Sequence, residues 1–276
     1  MKHFLRSKSA VTGLILIGVL ILVAIFADVL APHDPYKMDI WNSYRAPEGF
    51  SGEFILGTDD MGRDVLSRIL MGSRVSLLVA ATATGVSLLF GITLGAVAGY
   101  FGGVVDSVIM RLMDLILAFP SVLLAIAIVA SLGPGVINAM FAIAIVRVPA
   151  MVRVTRSMVL GLKEEEFVMA GKALGLSDRR ILFRHILINC IAPILVVASL
   201  NMGTAIVVEA TLSFLGLGAQ PPVISWGRML ALGRDSIRTA AHITLYPGLA
   251  IVFTVLGFNL LGDGLRDIGD PQLRGR

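Results

Sequence analysis

The chain has 276 residues, a net charge of +4, 15% charged and 56% apolar residues, and a mean hydropathy of +0.86. A soluble domain carries nearer a quarter charged residues, so the polar surface cannot cover a water-soluble globule and the bilayer must solvate much of it. Cys190 stands alone, which excludes an internal disulfide or thiolate cluster; the four histidines show no ligand spacing, and the basic excess reads as membrane topology rather than nucleic-acid binding.

All the elements predicted are helices, with about 20 apolar residues for each crossing of a ~30 Å core. Lys2, Arg6 and Lys8 precede an uncharged stretch, Ser9 to Ala27, that is too long for the apolar core of a cleaved signal. A retained anchor helix is therefore expected over Ala10–Leu30, stopped by Asp28 and the turn-forming APHDP. The polar segment Pro32 to Arg74 follows, too small for a solute-binding domain of its own. Its Asp59, Asp60, Arg63 and Asp64 are candidates for capping an outer cavity or touching a partner, beside the plainer reading of a solvated loop.

The second span is expected within the uncharged run Val75–Val105, where Gly91, Gly95 and Gly99 form a smooth ridge for close helix packing. Gly133-Pro134-Gly135 splits the next apolar stretch into spans of roughly 107–132 and 136–158. Arg111 and Asp114, three apart, are expected to pair locally. Arg147 in the fourth span is a candidate translocation-path residue for a solute carboxylate; snorkelling or pairing with an acid is the simpler alternative. Glu209 interrupts the fifth span, roughly 189–216, and reads as a path residue or a hydrogen-bonded packing residue. The sixth span is expected over roughly 243–262, flanked by Trp226 and Tyr246 as interfacial anchors. Pro120, Pro149, Pro193 and Pro247 lie in or near the later spans and can kink them.

With the N-terminus cytoplasmic, the inner segments hold 13 Lys and Arg and the outer ones 8, which favours both termini inside. The segment between spans four and five, LKEEEFVMAGKALGLSDRRILFRHILIN, then lies in the cytoplasm. Phe167, Ala170 and Leu174 make one apolar stripe on a short helix, Gly175 breaks it, and Ser177 is placed to cap a second helix carrying Ile181, Leu182 and Ile186. The stripe needs a cover, and a partner protein is one candidate.

This elbow resembles the signature loop of ABC importer permeases, E-A-A-x-x-x-G followed nine residues later by I-x-L-P. Met169, Ala170 and Gly171 stand at E-A-A, Gly175 at the glycine, and His185, Ile186, Leu187 and Ile188 at I-x-L-P. Met169 thus replaces the acid and Ile188 the proline. LGTDDMGRDVLSRILMGSRVSLL, AGYFGGVVDSVIMRLMDLILAFPSVLLAI, EATLSFLGLGAQPPVISWG and FNLLGDGLRDIGDPQL are similar to the C-type permease of dipeptide and oligopeptide importers, a family that includes nickel and glutathione importers.

The resemblance implies an all-α, six-helix type I importer membrane domain. It divides into 1–31 (tail and first helix), 32–71 (outer loop), 72–263 (core, with coupling loop 160–188) and 264–276 (cytoplasmic tail). It implies coupling residues Phe167, Ala170, Gly171, Leu174 and Gly175, a homologous second permease, two ATPase subunits and an extracytoplasmic binding protein, in a bacterial cytoplasmic membrane. The chain has no phosphate-binding loop, since Gly171-Lys172 is followed by Ala173, so ATP and Mg are expected on the partners and no cofactor or metal on this chain. An ATP-independent secondary transporter is the competing class; it predicts paired intramembrane acids or inverted repeats, and gives the elbow no purpose.

Overall fold

The computed structural model describes residues 7–269. Its helices are α1 (Lys8–Ile25), α2 (Ala27–Leu30), α3 (Val65–Phe101), α4 (Gly103–Leu117), α5 (Ser121–Leu132), α6 (Val136–Lys163), α7 (Glu166–Ala173), α8 (Asp178–Arg180), α9 (Leu187–Phe214), α10 (Trp226–Gly233) and α11 (His242–Gly269). Among the described residues, five helical stretches are long and apolar enough to cross a membrane, counting α8 through α9 as one, and the broken pair α4–α5 makes up to six. Exposed Leu14, Ile15, Leu22, Leu89, Leu245 and Phe253 give the bundle the apolar outer surface that lipid requires.

The core is built from small residues, which let backbones approach where water cannot drive helices together. A Cβ on Gly95 would stand 2.6 Å from the Val152 carbonyl oxygen, and one on Gly99 2.9 Å from that of Arg156; Gly91 lies against Met151. The Gly91–Gly95–Gly99 ridge is therefore the α3–α6 packing surface. Its contacts advance together along both helices, so α3 and α6 run parallel. α9 packs antiparallel beside them, with α5 and α11 closing the core around Ala83, Val129, Ile143, Ile206 and Phe258. α1 rests on α11, Gly13 lying against Leu261 and Ala10 against Gly264.

Three boundaries differ from the sequence expectation. α3 starts at Val65, inside the expected loop, because Asp64 caps it by accepting from Ser67 N at 2.8 Å. Its 37 residues make a rod of about 55 Å, longer than the bilayer core. Arg74, on this extension, donates to the carbonyls of Ala24 and Ile25 and pairs with Asp28 at 2.8 Å, satisfying the end of α1.

The expected third span, 107–132, is not one helix: α4 and α5 meet at 86°. Pro120 at the N-cap of α5 ends the ladder, and the charged face of α4 turns aside to pair with α6. α11 continues to Gly269, past the expected tail boundary at 264; residues 270–276, like 1–6, lie outside the described residues.

The segment 32–64 folds onto the loop end of the bundle. Gly57 and Gly62 hold positive φ where backbone carbonyls approach too closely for a side chain, and His242 Nε2 meets the Thr58 carbonyl at 2.9 Å. The Gly-Pro-Gly turn sits at the same end, with Gly135 N donating to Leu217 O at 3.0 Å.

Candidate functional site

At the opposite end of the bundle, α6 stops after Lys163 and the chain makes the expected elbow. α7 begins at an acidic turn with Glu166 and carries Lys172 in its last turn, both suited to its dipole. Gly175 adopts φ +75°, and two bonds close the turn, Gly175 N to Lys172 O at 2.9 Å and Leu176 N to Gly171 O at 3.1 Å. This double closure is the glycine-dependent helix stop read from the sequence. Ser177 sits at the cap of α8, but its side chain makes no capping bond. Ile181–Ile186 then form a turn of wider π geometry that feeds directly into α9.

The two faces of α7 differ. Val168 and Gly171 are buried against Leu176 and Ile181, in a cluster that continues through Leu182, Ile186 and Cys190. Phe167, Ala170 and Leu174 face outward, Leu174 being 82% exposed and Phe167 41%. The apolar stripe is real and has no cover within the described residues.

Tyr100 ties this elbow to the spans. It is 5% exposed at the end of α3, donates its hydroxyl to Asp178 Oδ1 at 2.6 Å, and has the ammoniums of Lys163 and Lys172 each 5.9 Å from its ring centre. One side chain thus joins α3, α6, α7 and α8. This role was not legible in the sequence, because Tyr100 and Phe101 set between glycines read as an ordinary helix end.

Two ion pairs hold α4 on α6 near the same end. Arg156 grips Asp106 with two nitrogens, Nη2 at 2.6 Å, and Arg153 Nη2 meets Asp114 at 2.6 Å. Asp114 therefore pairs across helices, and the expected local pair with Arg111 is not made: the bend at Pro120 lays α4 alongside α6.

The two candidate path residues are not joined by any bond. Glu209 is 2% exposed, accepting from Ser213 Oγ at 2.7 Å and Ser76 Oγ at 3.3 Å. Ser76 also receives Trp226 N at 3.3 Å, and Ser213 receives Ala219 N at 3.0 Å, so the carboxyl anchors a polar cluster linking α3, α9 and the segment leading into α10. Trp226 belongs to that cluster rather than to a lipid interface: it is 1% exposed and its Nε1 donates to Ile69 O at 2.9 Å. Tyr246 is half-buried beside it. Arg147 is half-buried about 16 Å along α6, with no hydrogen bond or ion pair among the described residues.

Residues 91–275 match the family model of the binding-protein-dependent transport system inner membrane component, and residues 1–47 match that of the N-terminal TM domain of oligopeptide transport permease C. The chain belongs to the inner-membrane components of binding-protein-dependent transport systems. It is 50% identical, over 99% of its length and 89% of the relative's, to the dipeptide transport system permease protein DppC of Alkalihalophilus pseudofirmus. A di/tripeptide transport system permease of Pseudomonas aeruginosa is 46% identical over 99% and 91% of the two chains. A glutathione transport system permease of Pectobacterium atrosepticum is 44% identical over 99% and 90%. The resemblance read from the elbow and the four sequence blocks is thereby confirmed. The chain is an ABC importer permease, an integral inner-membrane protein whose family works with ATPase and binding-protein partners.

Proposed function

We propose that this chain forms half of an ATP-driven pathway importing dipeptides and short oligopeptides, with a homologous second permease as the other half. The elbow and both termini lie in the cytoplasm and the 32–64 loop outside, as the Lys and Arg bias favours. Two ATPase subunits carry ATP and Mg, and an extracytoplasmic binding protein delivers the solute. The relatives named for dipeptides and di/tripeptides support the solute, and the relative named for glutathione, itself a small peptide, keeps it as the second candidate.

The observation that carries the mechanism is an apolar face left open on an element firmly fixed from behind. Phe167, Ala170 and Leu174 dock in an ATPase groove, while Gly171 and Gly175 shape the helix that presents them. When the ATPases close on ATP, α7 moves with them. Val168, Tyr100 and the stretch running into α9 carry that displacement to α3, α6 and α9. Arg147, which has no partner among the described residues, is the candidate contact for a peptide carboxylate in the pathway. Glu209 is assigned to holding the outer end of that pathway in shape.

The test is capture of the ATPases. Leu174→Asp places a charge at the centre of the stripe without touching the buried face, so the variant inserts and keeps its melting temperature but loses ATPase co-purification and uptake. Co-purification and uptake at the unmodified level would remove the stripe from the coupling.

A further inference from the structure

Asp59, Asp60 and Asp64 read from the sequence as candidates for capping an outer cavity or touching a partner, beside the plainer reading of a solvated loop; the structure commits them internally and leaves a cation without an acid among the described residues. Asp59 Oδ2 receives Arg63 Nε at 2.7 Å and lies 3.4 Å from Arg68 Nε, Asp60 meets Arg63 Nη2 at 3.3 Å, and Asp64 caps α3. Arg63 and Arg68 line a cavity of about 330 Å³ between the first loop and α10, and the third arginine lining it is Arg228. Arg228 Nε is buried with no hydrogen-bond partner, and no acid pairs with Arg228 among the described residues. A buried guanidinium nitrogen left unsatisfied is costly, and a carboxylate entering the cavity supplies the planar, two-oxygen acceptor that arginine recognises best.

The surroundings indicate who brings that carboxylate. Met38, Met61 and Val223, which line the cavity, are 60%, 38% and 37% exposed, and Trp41 of the first loop is 97% exposed. An arginine set among exposed apolar side chains is the layout of a protein–protein hot spot. We propose that this cavity is a socket for an Asp or Glu side chain of the extracytoplasmic binding protein, with Arg228 receiving the carboxylate. The proposal rests on the importer reading and on its placement of the 32–64 loop outside.

The test uses the assembled importer in proteoliposomes, titrated with its cognate binding protein loaded with alanyl-phenylalanine, reading ATPase stimulation. Arg228→Gln raises the half-saturating concentration about ten-fold and flattens its dependence on ionic strength, while basal ATPase activity stays at the wild-type level. Arg228→Lys, which keeps the charge but not the fork, falls between. Half-saturation within two-fold of wild type in Arg228→Gln overturns the socket and leaves the importer standing. Stimulation by alanyl-phenylalanine alone, lost in Arg228→Gln, makes the cavity a solute subsite and also overturns it. A wild-type complex indifferent to any binding protein overturns the importer reading and the socket together.

Discussion

Gly175 is the residue on which the elbow turns. At φ +75° an alanine costs about 1–2 kcal/mol, and proline, whose ring fixes φ near −65°, cannot adopt the conformation at all. Gly175→Pro is expected to insert normally, as judged by membrane fractionation, and to abolish peptide uptake; Gly175→Ala retains part of it. Normal uptake by the proline variant would take the elbow out of the mechanism. Glu209 gives a second residue-level test, of fold rather than transport. Glu209→Gln keeps an oxygen for Ser213 and holds its melting temperature close to wild type. Glu209→Leu leaves buried hydroxyls without their acceptor at about 1–3 kcal/mol, seen as a lower melting temperature in detergent. Equal melting temperatures for the two variants would contradict the anchoring role. The glycine's task was legible because only backbone freedom explains it there. The Glu209 cluster was not, because Ser76 lies 133 residues away in the chain and Ser213, one helical turn on, is unremarkable alone.

Among the elements, the α3–α6 ridge makes the sharpest prediction. A side chain at Gly95 meets Val152 O and Thr155 Cβ within 2.7 Å, so Gly95→Val must push two helices apart and is expected to lower yield and monodispersity on size exclusion. Gly85, on the same helix, has nothing within 4 Å of an added Cβ, and Gly85→Ala is expected to be neutral or slightly stabilising. Equal behaviour of the two would contradict the packing described. Spacing alone identified this ridge, since glycines four apart on a helix have few other uses. The bend at Pro120 was only half legible. A proline in a membrane helix can kink it or merely be tolerated, and the 86° angle depends on Asp106 and Asp114 finding Arg156 and Arg153 on another helix. Trp226 misled for a related reason: near the end of a span it looks like an interfacial aromatic, and only tertiary packing places it behind α3.

For the whole molecule, the two ends of one bundle present different surfaces. The elbow end presents an apolar stripe on a helix braced by Tyr100, and the loop end presents a cationic cavity with an apolar rim. α3, a rod of about 55 Å, runs from one to the other and carries Tyr100 at the elbow end and Ser76 towards the loop end. A rigid element spanning both sites suits a device in which displacement of α7 must reach the outer mouth. The most direct measurement of this account is dipeptide uptake into proteoliposomes holding this chain with its second permease and ATPases, supplied with binding protein. Accumulation that requires ATP and is lost with Leu174→Asp is the predicted result. Accumulation that persists without the ATPases would contradict it.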